Sequence, residues 1–195
     1  MSADIIETHP WQPFVPENAR VLLMGTFPPG KHRWSMDFFY PNRSNDFWYM
    51  IGLLFFGDRR ALYDESARAF RLDDIKTLLT EKGIALYDSC RSIRRLRGNA
   101  SDRFLEVVEP VDLQAFLRRI PLCRDVASTG EKAASVIASV TSTEVPPKGG
   151  YITTGDGLRI WRMPSTSRAY PLPLEQKAAY YAELFRKAGI SCSDS

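Results

Sequence analysis

Short apolar runs alternate along the chain with longer segments of mixed polarity. The apolar runs predict four strands, over Arg20–Met24, Ile84–Tyr87, Asp125–Ser128 and Leu158–Met163. The first run, VLLM, has no polar position on either face, which is typical of a strand in a parallel sheet that is covered on both sides. The pattern therefore predicts a sheet in the interior of the molecule.

The segments between the strands predict helices. Four are well marked, over Asn45–Phe56, Leu72–Lys82 (followed by Gly83 as a C-cap), Glu131–Val140 and Leu174–Ala188. Three weaker ones are predicted around Ser66, over Ser101–Val107 with Ser101 as the cap, and over Pro110–Ile120. Strands that alternate with helices predict an α/β protein, a three-layer α/β/α sandwich with a mainly parallel sheet. A chain of 195 residues has the length of one ordinary domain, so we expect a single domain over residues 1–195.

Composition narrows the class of protein. The net charge of +3 is too small to indicate a nucleic-acid partner by itself, so any basic surface has to be local. No apolar run approaches the roughly 20 residues of a membrane span, and the N-terminus lacks the layout of a secretion signal. The three cysteines have no CxxC spacing, which argues against a disulfide framework, a zinc site or an iron–sulfur site. We expect a cytoplasmic protein without a membrane association, a metal or a cofactor.

The predicted strands end in segments rich in Gly, Pro, Ser or Thr. These segments are GTFPPG at 25–30, the loop after Tyr87, Thr129-Gly130 and PSTSR at 164–168. Ligands of open parallel sheets bind at the carboxyl ends of the strands. The sequence therefore predicts one composite site at this edge.

Aromatic residues are concentrated between positions 34 and 56, which hold nine of the 23 in the chain. We interpret Phe47, Ile51 and Phe55 as core residues of the helix. Phe38, Phe39 and Tyr40 precede Pro41, which favours a loop. They either pack within that loop or stack against a base, and the sequence favours neither reading.

Two polar segments could contact phosphates. The segment CRSIRRLRGNASDR at 90–103 has five arginines and one aspartate, and it is either a solvated surface or a set of backbone contacts to nucleic acid. The PSTSR segment combines three hydroxyls with a cation, which either grip phosphates or cap the turn before the last helix.

Taken in chain order, these segments resemble the uracil-DNA glycosylase superfamily. The motifs that carry the resemblance are MGTFPPG, NDFW at 45–48, IALYDSC with the basic segment after it, ASTGEKA and MPSTSR. Members that excise uracil usually place Asp or Asn where this chain has Phe27, and His or Asn where it has Met163. The combination is most similar to the hypoxanthine-DNA glycosylase and mismatch-specific branch.

The resemblance implies a four-stranded parallel sheet between helical layers, and a reaction that needs no metal or cofactor. It implies that Asn45 is the catalytic residue of a glycosylase that removes hypoxanthine or uracil from DNA. The base pocket would be formed by Gly25, Thr26, Phe27, Tyr40, Phe47 and Met163. DNA contacts would come from Pro28, Pro29, Arg91, Arg94, Pro164, Ser165, Ser167 and Arg168. The expected partner is DNA with damaged or mismatched bases, bound by a monomer.

Other interpretations of the sequence stay open. A DNA-binding or damage-sensing module without hydrolytic activity is favoured by Phe27 and Met163, and opposed by the retained NDFW and PSTSR motifs. A nucleotide hydrolase would need Mg²⁺ ligands at the sheet edge, where Asp37 and Asp88 are the only plausible pair. With Asn45 in the pocket, Asp46 is expected to face solvent or to cap the helix. Alternatively, Asn45 is only the helix N-cap.

Overall fold

A computed structural model describes residues 5–96 and 102–193 of the chain. The ten strands of this part are β1 (Ile6–Thr8), β2 (Val21–Gly25), β3 (Tyr63–Asp64), β4 (Ala69–Phe70), β5 (Ile84–Asp88), β6 (Cys90–Arg95), β7 (Leu105–Pro110), β8 (Asp125–Ser128), β9 (Tyr151–Thr153) and β10 (Arg159–Arg162). Its five α-helices are α1 (Phe47–Phe56), α2 (Leu72–Lys82), α3 (Leu113–Leu117), α4 (Glu131–Thr141) and α5 (Leu174–Lys187). The same part of the chain also contains two short 3-10 helices, at Lys31–Arg33 and Asp102–Phe104.

The predicted apolar runs form the central sheet, whose strand order is β5-β2-β8-β10-β9. The first four strands are parallel, as expected, and every residue of β2 and β5 is buried. The sheet has five strands rather than the expected four, because β9 pairs antiparallel with β10 at the edge. This strand of three residues is too short to give a periodic signal in the sequence.

The helices pack in two groups. Helix α1 packs against α5, where Phe55 contacts Phe185, and α3 packs against α4. The chain runs from β2 to β5 and then returns past β2 to β8. Because such crossovers are right-handed, the reversal places the two groups of helices on opposite faces of the sheet. The reversal also creates a topological switch point between β2 and β8, where α/β sheets bind their ligands.

The four well-marked helices form close to their predicted bounds. Helix α2 ends at Gly83, whose φ of +68° is the left-handed conformation expected of a C-cap glycine. A Cβ atom at this position would lie 2.5 Å from the carbonyl oxygen of Asn18, so the chain also passes too closely here for a side chain. Helix α1 begins at Phe47, and the core role predicted for Phe47, Ile51 and Phe55 is confirmed by their burial.

The helix predicted around Ser66 is wrong, because this segment is the hairpin of β3 and β4. One oxygen of Asp64 accepts the N–H groups of Ser66 and Ala67 at 2.8 and 2.9 Å, and Arg68 has a φ of +51°. An aspartate that binds its own backbone in this way stabilises a turn at the expense of a helix.

The segment predicted as a basic loop and a short helix forms strands instead. Strands β1, β6 and β7 make a small antiparallel sheet in the order β1-β6-β7. Val107 pairs with Ile93 and Glu106 with Arg94, so cross-strand contacts override the weak helical pattern. The predicted cap, Ser101, lies outside the described residues. The helix predicted over Pro110–Ile120 is reduced to α3, which Asp112 caps by accepting the N–H of Ala115.

Candidate active site

A cleft of about 1120 Å³ opens at the carboxyl ends of the parallel strands, over the switch point between β2 and β8. It brings together twelve of the residues predicted for the site, namely Gly25, Thr26, Phe27, Pro28, Pro29, Tyr40, Asn45, Met163, Pro164, Ser165, Ser167 and Arg168. It does not include Phe47, Arg91 or Arg94. The loops predicted to meet at one edge therefore do meet.

Gly25, the last residue of β2, lines the cleft where two polar side chains approach the backbone. A Cβ atom here would lie 2.6 Å from Oδ1 of Asp88 and 3.3 Å from the hydroxyl of Tyr40. Asp88 therefore approaches the backbone more closely than a side chain at position 25 would allow, and the contact with Tyr40 would be tight.

Tyr40 supplies a hydroxyl to this floor. Its ring stacks on Phe47 with centroids 3.7 Å apart, and its hydroxyl is 2.8 Å from Oγ1 of Thr129. Phe47 thus lies behind Tyr40, which corrects its predicted place in the pocket wall: it is fully buried and supports the residue that lines the cleft. Burial, with the nearby Asp88, raises the pKa of Tyr40 well above its usual value, so the phenol stays protonated.

Asp88 ends β5, directly beside Gly25 in the parallel register. Its Oδ2 lies 2.9 Å from Nε2 of His9, whose side chain is only 2% exposed. The sequence singled out Asp88 only as a weak magnesium ligand and did not single out His9 at all. The position of Asp88 after a buried strand was a usable signal, whereas His9 lies 79 residues away and gave none.

Asp102 is a second carboxyl group in the cleft. Its Oδ2 accepts a hydrogen bond of 2.7 Å from the hydroxyl of Thr26. Burial raises the pKa of Asp102, and the charge of Asp88 adds to this, while the bond from Thr26 opposes it. The arrangement places a carboxyl group that resists ionisation close to one end of β2.

Asn45 lines the cleft from the segment before α1. Its Oδ1 accepts the N–H of Phe47 at 2.9 Å, and its backbone pairs with Ser167. Asp46, rather than Asn45, is the N-cap position of α1. The expectation that Asp46 faces solvent or caps the helix is wrong, because Asp46 is buried and its side chain makes no capping bond.

The carboxylate of Asp46 instead ties three elements together. It is bonded to Nζ of Lys177 in α5 at 2.9 Å and to Nε of Arg168 in the PSTSR loop at 3.2 Å. Lys177 is fully buried and also donates to the carbonyl of Ser167 at 2.8 Å. The N–H of Asp46 donates in turn to the carbonyl of Thr166. These bonds fix the PSTSR loop against the start of α1, so Ser165 and Ser167 are held at the cleft.

The aromatic residues before α1 divide between the core and the cleft. Phe38 and Phe39 are 6% and 1% exposed and do not line the cleft, so for these two the stacking interpretation is wrong. Phe27 is half-buried in the cleft wall, with its ring edge-on to His9 at 5.4 Å.

The arginines of β6 face carboxylates across the small sheet. Arg91 pairs with Glu109 at 3.0 Å and Arg94 with Glu106 at 2.9 Å. Arg95 binds both oxygens of Glu7 and also the carbonyl of Pro28, which fixes the GTFPPG loop. Neither Arg91 nor Arg94 lines the cleft and both face glutamates, so this geometry gives their predicted contact with DNA no support and leaves it to be tested. Arg97 lies outside the described residues.

The rim of the cleft has cations besides Arg168, and one of them, Arg103, belongs to the basic segment that the sequence pattern marked. Four others are not marked by the sequence: Arg33, Lys132, Lys148 and Arg162. These four come from four different segments, so no local run of basic residues marks them. Arg162 is paired with Glu131 at 3.7 Å, and the other cations line the same cleft as the carboxyl groups of Asp88 and Asp102.

The described residues also bear on two other features, a metal site and a membrane-spanning helix. Within residues 5–96 and 102–193, no cluster of three or more His, Cys, Asp or Glu side chains is arranged to hold a metal ion. Asp37 does not join Asp88, because it lies outside the cleft lining and accepts a hydrogen bond from the indole of Trp11. None of the helices seen in these ranges is long and apolar enough to cross a bilayer.

Comparison with known proteins supports the fold. No protein-family model matches the chain, and no curated protein matches it significantly. A solution NMR structure from Methanosarcina acetivorans, named "putative Uracil DNA glycosylase", is similar with a TM-score of 0.64 and 19% sequence identity. The match covers 95% of this chain and 99% of that one. The chain therefore has a uracil-DNA-glycosylase-like α/β fold over nearly its whole length.

Proposed function

We propose that this protein is a DNA glycosylase of base excision repair, which hydrolyses the N-glycosidic bond of a deaminated base flipped out of DNA. The observation that carries the proposal is the cleft itself. Tyr40 and Asp88 meet over Gly25 at the end of β2, where the switch point of the sheet lies, and Asn45 and several cations line the same cleft. The fold shared with the Methanosarcina acetivorans structure supports the same reaction class.

The proposed pocket suits a flat polar ring. Phe27 and Met163 supply apolar contacts, while Tyr40 and Asn45 supply hydrogen-bonding groups. The backbone N–H groups of Thr26 and Phe27 have no acceptor within the described part of the chain. They are therefore available to a departing base, whose nitrogen becomes negative as the bond to the sugar breaks.

The substrate we propose is hypoxanthine or uracil. Both leave as comparatively stable anions, so the site needs a positioned water and hydrogen-bond donors rather than a metal or a redox cofactor. The branch assignment to hypoxanthine rests on the NDFW motif with Asn45 and on the apolar residues at positions 27 and 163. We further propose that the chain acts as a single domain and a monomer in the cytoplasm.

DNA would lie across the cationic rim. Arg33, Lys132 and Arg168 come from three separated segments around the opening, so they can contact phosphates on both sides of an extruded nucleotide. The rigid PSTSR loop and the proline-rich turn at Pro28 and Pro29 would hold the gap in the duplex open.

The test is a panel of duplexes with uracil, hypoxanthine, xanthine or a G·T mismatch, together with their single-stranded forms. Excision is measured as abasic sites that alkali cleaves. We expect hypoxanthine or uracil to be released and the undamaged duplex to stay intact.

The second candidate function is a damage-sensing module without hydrolysis, which the apolar residues Phe27 and Met163 favour. Binding of the same duplexes separates the two. A preference for damaged DNA with no abasic sites from any substrate would support the sensor and overturn the glycosylase.

A further inference from the structure

We propose that Asp88 is a second catalytic residue of the cleft, which holds the attacking water, and that His9 is its positioning residue. The inference rests on the proposed glycosylase function and deepens it. It assigns the proton acceptor that an amide such as Asn45 cannot supply, because an amide is not a base at neutral pH.

The first argument is the way the two oxygens of Asp88 are used. Oδ2 is held by Nε2 of His9 at 2.9 Å. Oδ1 has no hydrogen-bond partner among the described residues, and it lies over Gly25 beside the hydroxyl of Tyr40. One oxygen is therefore fixed and the other is presented to the cleft, as a group that binds water requires.

The other buried aspartates show what a structural role looks like in this protein. Asp125 binds Arg159 with both oxygens, at 2.6 Å each, and one of them also accepts the indole N–H of Trp161. Asp46 uses one oxygen for Arg168 and the other for Lys177. Buried polar groups are normally satisfied in this way, so the free oxygen of Asp88 needs another explanation.

The surroundings of His9 fix its orientation. Its ring contacts Trp11, Phe27, Phe39 and Tyr87 at centroid distances of 4.8 to 5.9 Å. Nε2 of His9 lies 2.9 Å from Oδ2 of Asp88, while Nδ1 lies 3.0 Å from the carbonyl oxygen and 3.2 Å from the N–H of Trp11. A packed ring with both nitrogens bonded can hold the carboxylate in one rotamer, as supporting groups do at catalytic sites.

The position of Asp88 also accounts for Phe27. Gly25 and Asp88 are register partners in β2 and β5, so Asp88 reaches the same edge of the sheet as the GTFPPG loop. A carboxylate from the neighbouring strand leaves position 27 free for an apolar side chain that contacts the base.

The proposed reaction is a displacement at C1′ of the sugar. The oxygen of the water bonds to C1′ while the C1′–N bond breaks, and the electron pair of the C1′–N bond leaves with the base. The proton lost by the water passes to Oδ1 of Asp88 and later to solvent. The departing anion then takes up a proton, so the products are the free base and an abasic site.

The decisive measurement is single-turnover excision of the best substrate in the panel, corrected for the folded fraction from thermal unfolding. We expect Asp88→Asn to lose about 10²–10⁴-fold in rate with DNA binding retained. Asp125→Asn is the matched control, because it alters a buried aspartate at the opposite end of the sheet. It should unfold earlier yet excise normally per folded molecule.

Two further comparisons between variants keep the test decisive if Asp88→Asn folds poorly. Asp88→Ala should regain excision when formate is added, whereas Asn45→Ala should not, because only the first lacks a carboxylate. His9→Gln can still donate to Asp88 and should be faster than His9→Phe, which cannot.

Each outcome decides a different question. Asp88→Asn within about twofold of wild type, or no formate rescue of Asp88→Ala, overturns the role of Asp88. Equal rates for His9→Gln and His9→Phe overturn the role of His9. A wild-type protein that excises no base overturns the glycosylase itself, and this proposal with it.

Discussion

The side-chain amide of Asn45 has one atom that is bonded within the described part of the fold and one that is not. Its Oδ1 accepts the N–H of Phe47, which is one of the unpaired donors at the start of α1. The Nδ2 group has no partner within the described residues, and Asn45 lines the cleft. The two readings left open by the sequence, a helix cap and a reacting group, therefore do not exclude each other.

Substitutions at Asn45 can separate these two roles. Asn45→Asp keeps the acceptor for Phe47 but removes the donor, and Asn45→Ala removes both. We expect both variants to bind DNA and to lose excision by about 10²–10⁴-fold. Only Asn45→Ala should also lower the free energy of unfolding, by the roughly 1 kcal/mol typical of a lost side-chain bond to the start of a helix. Excision by Asn45→Asp at the wild-type rate would make Asn45 a cap and nothing more.

Phe27 provides a test of base selectivity. Its ring is half-buried in the cleft wall, so Phe27→Ala should destabilise the fold by less than the about 3–5 kcal/mol typical of a core phenylalanine. We expect it to change the ranking of substrates in the excision panel. Phe39→Ala, at a side chain that is 1% exposed, is the control and should show the full loss of stability. The reverse pattern, a full loss for Phe27→Ala with an unchanged ranking, would place Phe27 in the core.

At the scale of elements, the sequence was most informative where order is local. Strands β2, β5, β8 and β10 and the four longer helices follow from periodicity, because burial on one or both faces dictates it. Strands β6 and β7 were missed, because a pair such as Ile93 and Val107 is stabilised by a partner across the sheet. The residues on the floor of the cleft likewise fall into those that the local sequence marks and those that only the fold brings together. Gly25, Tyr40 and Asn45 lie in recognisable motifs, whereas the contact of His9 with Asp88 exists only in the folded chain.

The buried contact between α5 and α1 should be a principal source of rigidity at the cleft. Lys177 is fully buried between Asp46 and the carbonyl of Ser167. Lys177→Met leaves the Asp46 carboxylate buried with only Arg168 as its ion-pair partner, so we expect a loss of about 3–5 kcal/mol in urea unfolding. Lys187→Met, on the exposed side of the same helix, is the control and should change stability by at most about 0.5 kcal/mol. Equal losses in the free energy of unfolding for the two variants would mean that the buried contact adds nothing to the stability of the fold.

DNA binding should depend on the rim of the cleft rather than on β6. Arg33 and Lys132 form no ion pair within the described residues, whereas Arg91 and Arg94 face glutamates. We expect the double variant Arg33→Ala/Lys132→Ala to weaken binding to all sequences and to flatten the salt dependence by about one unit per lost contact. The matched variant Arg91→Ala/Arg94→Ala should leave the slope nearly unchanged. A flatter slope in this second variant would assign β6 to the DNA interface.

Considered as a whole, the molecule has a fully paired aspartate at one end of its sheet and the cleft with its carboxyl groups at the other. At the amino end, Asp125 is fully paired with Arg159 and Trp161. At the carboxyl end, Asp88 and Asp102 face a cleft together with Asn45 and Tyr40. Carboxyl groups held in a partly buried site stabilise the fold less than paired ones, so the cleft should lower the stability of the entire chain.

The pH dependence of unfolding should reveal this cost. Burial raises the pKa of Asp102 in the folded state above its ordinary value of 3.8, so the folded protein binds the proton more tightly than the unfolded chain. Wherever the folded state binds more protons, stability falls as pH rises. The contribution of Asp102 is therefore most favourable below pH 3.8 and is lost as pH rises through the folded-state pKa.

Asp102→Asn removes this titration while keeping the size of the side chain. We expect the variant to gain stability relative to wild type as pH rises through the window above pH 3.8, and the difference to level off once Asp102 is ionised in both states. Urea unfolding of both proteins over this range measures it. Asp156→Asn is the opposite control, because a hydrogen bond from Thr154 lowers the pKa of that exposed carboxyl. It should lose stability relative to wild type as pH rises through the window below pH 3.8, so unfolding of this variant is measured there. A difference between wild type and Asp102→Asn that stays constant with pH would mean that Asp102 ionises as freely in the cleft as in the unfolded chain.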